Sequence, residues 1–196
     1  MKHGFAYMLN CHLELSFLLV GTVWIVGDSI VRRARTQFHL PVNVLWNGKG
    51  GAGVCDISNL LTQLDAKGPP PTMLILHAGT NDLVAVDEFA LRRRVSVLLS
   101  DCATRYPNAI VVWSDILPRV FYIGARSQPA LERKRRTINR WVKSQSCHSK
   151  VFCLHHPQFV WSDVGLFHYD GVHLSPHGNH LFVDNIRRFM ASHIKS

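Results

Sequence analysis

Five short apolar runs recur along this chain, each followed by a segment of helical length. The runs fall near 22–28, 42–46, 72–78, 109–114 and 151–155, and the helical segments near 29–38, 55–66, 87–105, 127–146 and 176–194. Continuous apolar runs of that length read as strands buried on both faces. Strand–helix alternation in turn implies an α/β fold, a parallel sheet with helices covering both of its faces. In such a sheet the carboxyl ends of the strands collect at one edge, where α/β proteins hold their ligands. The 196 residues, 47% of them hydrophobic, suffice for one full core. No internal repeat, low-complexity tract or long linker splits the chain, and Pro69-Pro70-Pro71 is only a stiff connector into the third run.

Four residue clusters are expected at that edge. Gly27-Asp28-Ser29 ends the run Thr22–Val26, and Ile30–Arg35 reads as the first turns of a helix. Ser29 then stands at a helix N-terminus, where free N–H groups and the helix dipole favour developing negative charge. Asn47-Gly48-Lys49-Gly50-Gly51-Ala52-Gly53 follows the second run, and glycine there lets the backbone come close to a substrate. Gly79-Thr80-Asn81-Asp82 follows the third run and offers a side-chain amide as a hydrogen-bond donor. Asp170-Gly171-Val172-His173 lies just before the last helix. A tight turn at that spacing lets the carboxylate accept from one imidazole nitrogen while the other faces the serine. Each cluster alone has a plainer reading, as an N-cap, a flexible loop, a turn and a solvated loop histidine.

Taken in order, the four clusters resemble the SGNH (GDSL-like) hydrolase superfamily from about Thr22 to the C-terminus. The resemblance implies a three-layer α/β/α fold with a flavodoxin-like five-stranded parallel sheet. It implies Ser29 as nucleophile, Asp170 and His173 as the rest of a catalytic triad, and Ser29, Gly51 and Asn81 as the oxyanion hole. It calls for no cofactor and no metal. One departure is visible: many members carry proline after the histidine, and here Leu174 follows. The Trp46-Asn47-Gly48-Lys49-Gly50-Gly51 and Trp113–Pro118 stretches and the basic helix are also similar to esterase-like modules in first-open-reading-frame proteins of fish non-LTR retroelements.

Other readings fit less well. Gly48–Gly53 matches G-x-G-x-x-G, but an acidic ribose ligand about twenty residues on is missing, since Pro69–Pro71 stands there. His173, His177 and His180 have helical spacing, yet Pro176 and Gly178 disturb the geometry that a zinc site would need. Residues 1–20 are set apart as a leader, with 21–196 as the domain; the apolar stretch there is too short and interrupted to span a bilayer. Five cysteines without a C-x-x-C pair favour a reduced, cytoplasmic setting.

The formal net charge is +9, with basic clusters at Arg32, Arg33 and Arg35, at Arg92–Arg94, and from Arg133 to Lys143. Such runs are usually solvated helix faces, but the excess suits weak contact with nucleic acid or an anionic membrane. The function expected is a serine esterase acting on a small, short-acyl ester, acetyl included. Phe121, Tyr122, Trp161 and Phe167 are candidates to line its pocket, with core packing equally open for each. The alternative is a non-catalytic polyanion- or protein-binding module of a retroelement particle on the same fold.

Overall fold

A computed structural model describes residues 21–35, 43–146 and 151–193. The expected leader and positions 36–38 of the expected first helix lie outside the described residues. The sheet contains β1 (Val23–Gly27), β2 (Val44–Gly48), β3 (Met73–His77), β4 (Ile110–Ser114) and β5 (Val151–Leu154). All pairings are parallel and the strand order is β2-β1-β3-β4-β5. The helices are α1 (Ser29–Ala34), α2 (Ile57–Asp65), α3 (Asp82–Ala85), α4 (Glu88–Arg105), α5 (Gln128–Ser146) and α6 (Pro176–His193). This is the three-layer α/β/α arrangement with a flavodoxin-like sheet.

The strand side chains divide by alternation into two cores. Trp24, Val26, Leu74, Leu76, Val111 and Trp113 face α2, α4 and α5. Val23, Ile25, Met73, Ile75 and Val112 face α1 and α6. Each fully buried large side chain contributes about 1.5–3 kcal/mol, which the continuous apolar composition of the inner strands serves on both faces. The second strand lies two residues later than the run at 42–46. Its pairing sets Val44 beside Val23 and Gly48 beside Gly27. Asn47, a turn former by composition, is held in the strand because its amide donates to the Leu60 carbonyl (2.8 Å).

Local chemistry fixes where the helices begin. Asp28 caps α1 by accepting from the Ile30 N–H (2.9 Å), and Asp87 caps α4 by accepting from Ala90 (2.7 Å). Ser175 accepts from the Gly178 N–H (3.1 Å) immediately ahead of Pro176, the favoured first residue of a helix.

Two hydrogen bonds carry the parallel ladder past the strand ends. The Lys49 N–H donates to the Gly27 carbonyl (3.0 Å), and the Asp28 N–H donates to the His77 carbonyl (3.2 Å). The loops after β2, β1 and β3 therefore leave the sheet side by side. Gly27 makes this possible, because a Cβ there would lie 2.2 Å from the His77 carbonyl oxygen.

Candidate active site

Ser29 is the first residue of α1 and retains 7% of its exposure. The Asp28 side chain has taken the Ile30 N–H, so the Ser29 N–H points out of the helix without a partner among the described residues. In the loop after β2, Gly51 adopts φ +72°, a left-handed turn that glycine enters at little cost, with open space where a Cβ would stand. Its N–H makes no hydrogen bond among the described residues, whereas the Gly53 N–H is bound to the Asp56 carboxylate (2.9 Å).

Asn81 connects these loops. Its Nδ2 donates to the Ala52 carbonyl (2.9 Å), and its Oδ1 accepts from Nη2 of Arg119 (2.9 Å). Guanidinium can only donate and carbonyl can only accept, so the two partners set the amide orientation and leave one Nδ2 hydrogen uncommitted. Asp82 braces the same junction. It is 2% exposed, accepts from the Val54 N–H (2.8 Å) and pairs with Arg94 (2.8 Å).

Asp170 and His173 meet as their spacing suggested. Oδ2 of Asp170 lies 2.7 Å from Nδ1 of His173, and Oδ1 accepts from the backbone N–H groups of Val172 and His173, both at 2.9 Å. Desolvation pushes the Asp170 carboxyl upward, but these hydrogen bonds and the facing imidazole outweigh it and hold it well below the usual carboxylate range. Nε2 of His173 has no partner among the described residues. A small hairpin presents the pair, closed by an antiparallel bridge between Phe167 and Leu174. Leu174, found in place of the more usual proline, is buried with Phe167 against α6 and anchors that hairpin. The Gly171 carbonyl accepts from the N–H groups of Val120 (2.8 Å) and Phe121 (3.2 Å), which ties the hairpin to the segment after β4.

That segment contributes Arg119, which the sequence reading did not single out. Arg119 is 9% exposed, and its Nε lacks a partner among the described residues. Burial lowers its pKa, while Asp28, Tyr122 and Asp170 work in the other direction. Asp28 itself is fully buried, and its Oδ2 has no hydrogen-bond partner among the described residues. Desolvation raises its pKa to about 6 against the pull of Ile30, Arg119 and His173. Asp28 and Asp170 both act on the charge of Arg119, and His173 acts on that of Asp28.

Of the aromatic candidates, Tyr122 and Phe167 are core residues, at 2% and 5% exposure. Phe121 and Trp161 are exposed, as is Tyr169 beside Asp170.

A second serine–histidine cluster lies beneath this edge. Ser114 Oγ is 2.8 Å from Nε2 of His156 and 2.9 Å from Nδ1 of His77, and Nδ2 of Asn185 is 3.0 Å from Nδ1 of His156. The Asn185 amide donates, so His156 Nδ1 accepts and its Nε2–H must point at Ser114. The Ser114 hydroxyl then donates onward to His77. A histidine that donates to a serine cannot take that serine's proton. Ser114 and His77 are fully buried, and burial lowers the His77 pKa to about 4 and that of His156 well below its ordinary value. The cluster is a neutral relay that joins β3, β4, the segment after β5, and α6.

The sequence profile of the GDSL-like lipase/acylhydrolase family matches residues 25–181. Among solved structures, a GDSL-like lipase from Bacteroides thetaiotaomicron is 16% identical, with a TM-score of 0.70, covering 97% of this chain and 100% of that one. A member of the lipolytic G-D-S-L family from Veillonella parvula is 15% identical, with a TM-score of 0.69 over 87% and 98% of the two chains. The esterase domain of the ZfL2-1 ORF1 protein from a zebrafish retrotransposon is 27% identical over 87% and 99%, with a TM-score of 0.46. No curated protein matches the chain.

The buried Asp28 generates a pH prediction. Its folded pKa of about 6 lies above the ordinary 3.8. The stability tied to its protonated form is therefore complete below about 3.8 and is lost as pH rises through about 6. Asn keeps the helix cap and never ionises. Urea unfolding should show Asp28→Asn gaining on the wild type across that interval and levelling above it, by about 3 kcal/mol in total. A stability difference that stays constant across the interval would contradict the assigned burial.

Proposed function

Because the chain belongs to the GDSL-like lipase/acylhydrolase family, we propose that it is a serine esterase acting on small, short-acyl esters such as acetyl esters. The observation that carries the reading is the Asp170–His173 pair. The carboxylate holds Nδ1 at 2.7 Å, which fixes the tautomer and leaves Nε2 as a base. In the proposed reaction Ser29 Oγ attacks the ester carbonyl as His173 Nε2 accepts its proton. The charge developing on the carbonyl oxygen is met by the Ser29 and Gly51 N–H groups and the uncommitted Nδ2 hydrogen of Asn81. His173 returns the proton to the leaving alcohol, and water then clears the acyl group by the same steps.

Arg119 enters this scheme as a positioning residue. Its donation to Asn81 Oδ1 fixes which end of the amide faces the substrate and polarises the Nδ2–H bonds.

Hydrolysis of p-nitrophenyl esters of rising chain length tests the scheme. Wild type should favour the shortest chains. Ser29→Ala should lower kcat by about 10⁴–10⁶ with the fold intact, and Asp170→Asn should retain at least as much activity as His173→Ala. Wild-type hydrolysis by Ser29→Ala would sink the mechanism.

A separate series addresses Arg119. Arg119→Met should lower kcat roughly 10–100-fold with KM little changed, and Arg119→Lys should recover part of the loss. If both variants lose stability but keep kcat, the residue is only a structural brace.

A further inference from the structure

Several of the basic residues that give this chain its charge are answered locally. On α4, Arg92 pairs with Glu88, Arg94 with Asp82, and Arg105 with Asp65. On α5 the run from Arg133 to Arg136 is not one solvated face. Arg135 grips Glu132 with two nitrogens, at 2.7 and 2.6 Å, and donates to the Ile116 carbonyl (2.8 Å). Lys134 donates to the Leu83 (2.9 Å) and Val86 carbonyls and secures α3. These two cations are committed to the fold.

The rest fall differently. Arg133, Arg136 and Arg140 occupy helical positions i, i+3 and i+7, which share one face. Arg136 reaches only Oε1 of Glu132, already held by Arg135, at 3.4 Å. Arg133 and Arg140 have no acidic partner among the described residues. All three, together with the engaged Arg135, line a single cleft of about 590 Å³ that His155 and Asp115 also line. Its one carboxylate, Asp115, is engaged by His155 Nδ1 (2.8 Å). The volume is that of a small-molecule site. The cleft lies at the carboxyl ends of β4 and β5, the sheet edge where α/β folds bind ligands. β1 and Ser29 are two strands from β4, roughly 10 Å at ordinary strand spacing.

We infer that this cleft is a binding site for a phosphate-bearing anion. Arginine suits that role because its planar fork meets two phosphate oxygens at once. Three such groups on one wall, one of them only loosely shared, concentrate positive potential inside a concavity. The concave shape favours a compact phosphate group over an extended polyanion, which would need a continuous basic stripe. On α4 that stripe is interrupted by the pairs with Glu88 and Asp82.

The test uses the full chain at low salt with two probes. Pyrophosphate is titrated calorimetrically, and flotation is measured with phosphatidylcholine vesicles with and without phosphatidic acid. The double variant Arg133→Gln/Arg140→Gln is compared with Arg187→Gln/Arg188→Gln on α6, whose wild-type side chains pair with Asp184. Pyrophosphate should bind wild type and the α6 control equally, weaken as salt rises, and bind the α5 double variant at least about tenfold more weakly. Hydrolysis of a neutral p-nitrophenyl ester should be unchanged in both variants, which verifies their fold. Phosphatidic-acid-dependent flotation lost in the α5 variant, without pyrophosphate binding, also supports the site and assigns the phosphate to a lipid headgroup. The inference is overturned if neither probe binds, if the α5 variant binds like wild type, or if only long single-stranded RNA binds.

Discussion

The candidate site depends on the parallel ladder continuing beyond its strands. Gly27 accepts from Lys49, and Asp28 donates to His77. These two bonds fix the exits of β1, β2 and β3 at one level. Ser29, the Gly50–Gly53 turn and Asn81 then have little choice of position. The absence of a side chain at residue 27 is part of the same constraint, since the His77 carbonyl occupies the space that a Cβ would take. Preorganised donors act well only when the backbone around them has no freedom left to lose.

Electrostatics closes the arrangement from the other side of the edge. Arg119 is buried with Asn81 as its hydrogen-bond partner, and it feels Asp28 and Asp170 from two different loops. One guanidinium thereby links the turn after β1, the turn after β3 and the histidine hairpin. Removing a buried partner of this kind leaves the other groups without compensation. The neutral Ser114–His156–Asn185 relay below has the same residue types as a triad. Its hydrogen-bond direction and burial give it a structural part instead.

Much of this was legible in the sequence. The fold class follows from apolar runs such as Met73–His77, which only a strand covered on both faces accommodates. Ser29, Asn81 and the Asp170–His173 pair were legible because each lies in a short polar cluster at a strand or loop end. Arg119 was not, since a lone arginine after Pro118 has no periodicity and its meaning comes from partners 38 or more positions away. The turn α3 has four residues, too few for a helical pattern. The run Arg133–Arg136 misled for a related reason. Successive helical residues point about 100° apart, so neighbours in sequence have different partners: Lys134 and Arg135 bond the Leu83 and Ile116 carbonyls, while Arg133 has no acidic partner among the described residues.

The central claim is that Ser29, activated by His173, is the nucleophile. Covalent trapping tests it most directly: the folded chain is treated with a fluorophosphonate, which a nucleophilic serine displaces at phosphorus with loss of fluoride. The labelled peptide is then mapped by mass spectrometry. The account predicts a single adduct at Ser29, absent in His173→Ala. An adduct at Ser114, or ester hydrolysis with Ser29 left unmodified, would contradict it.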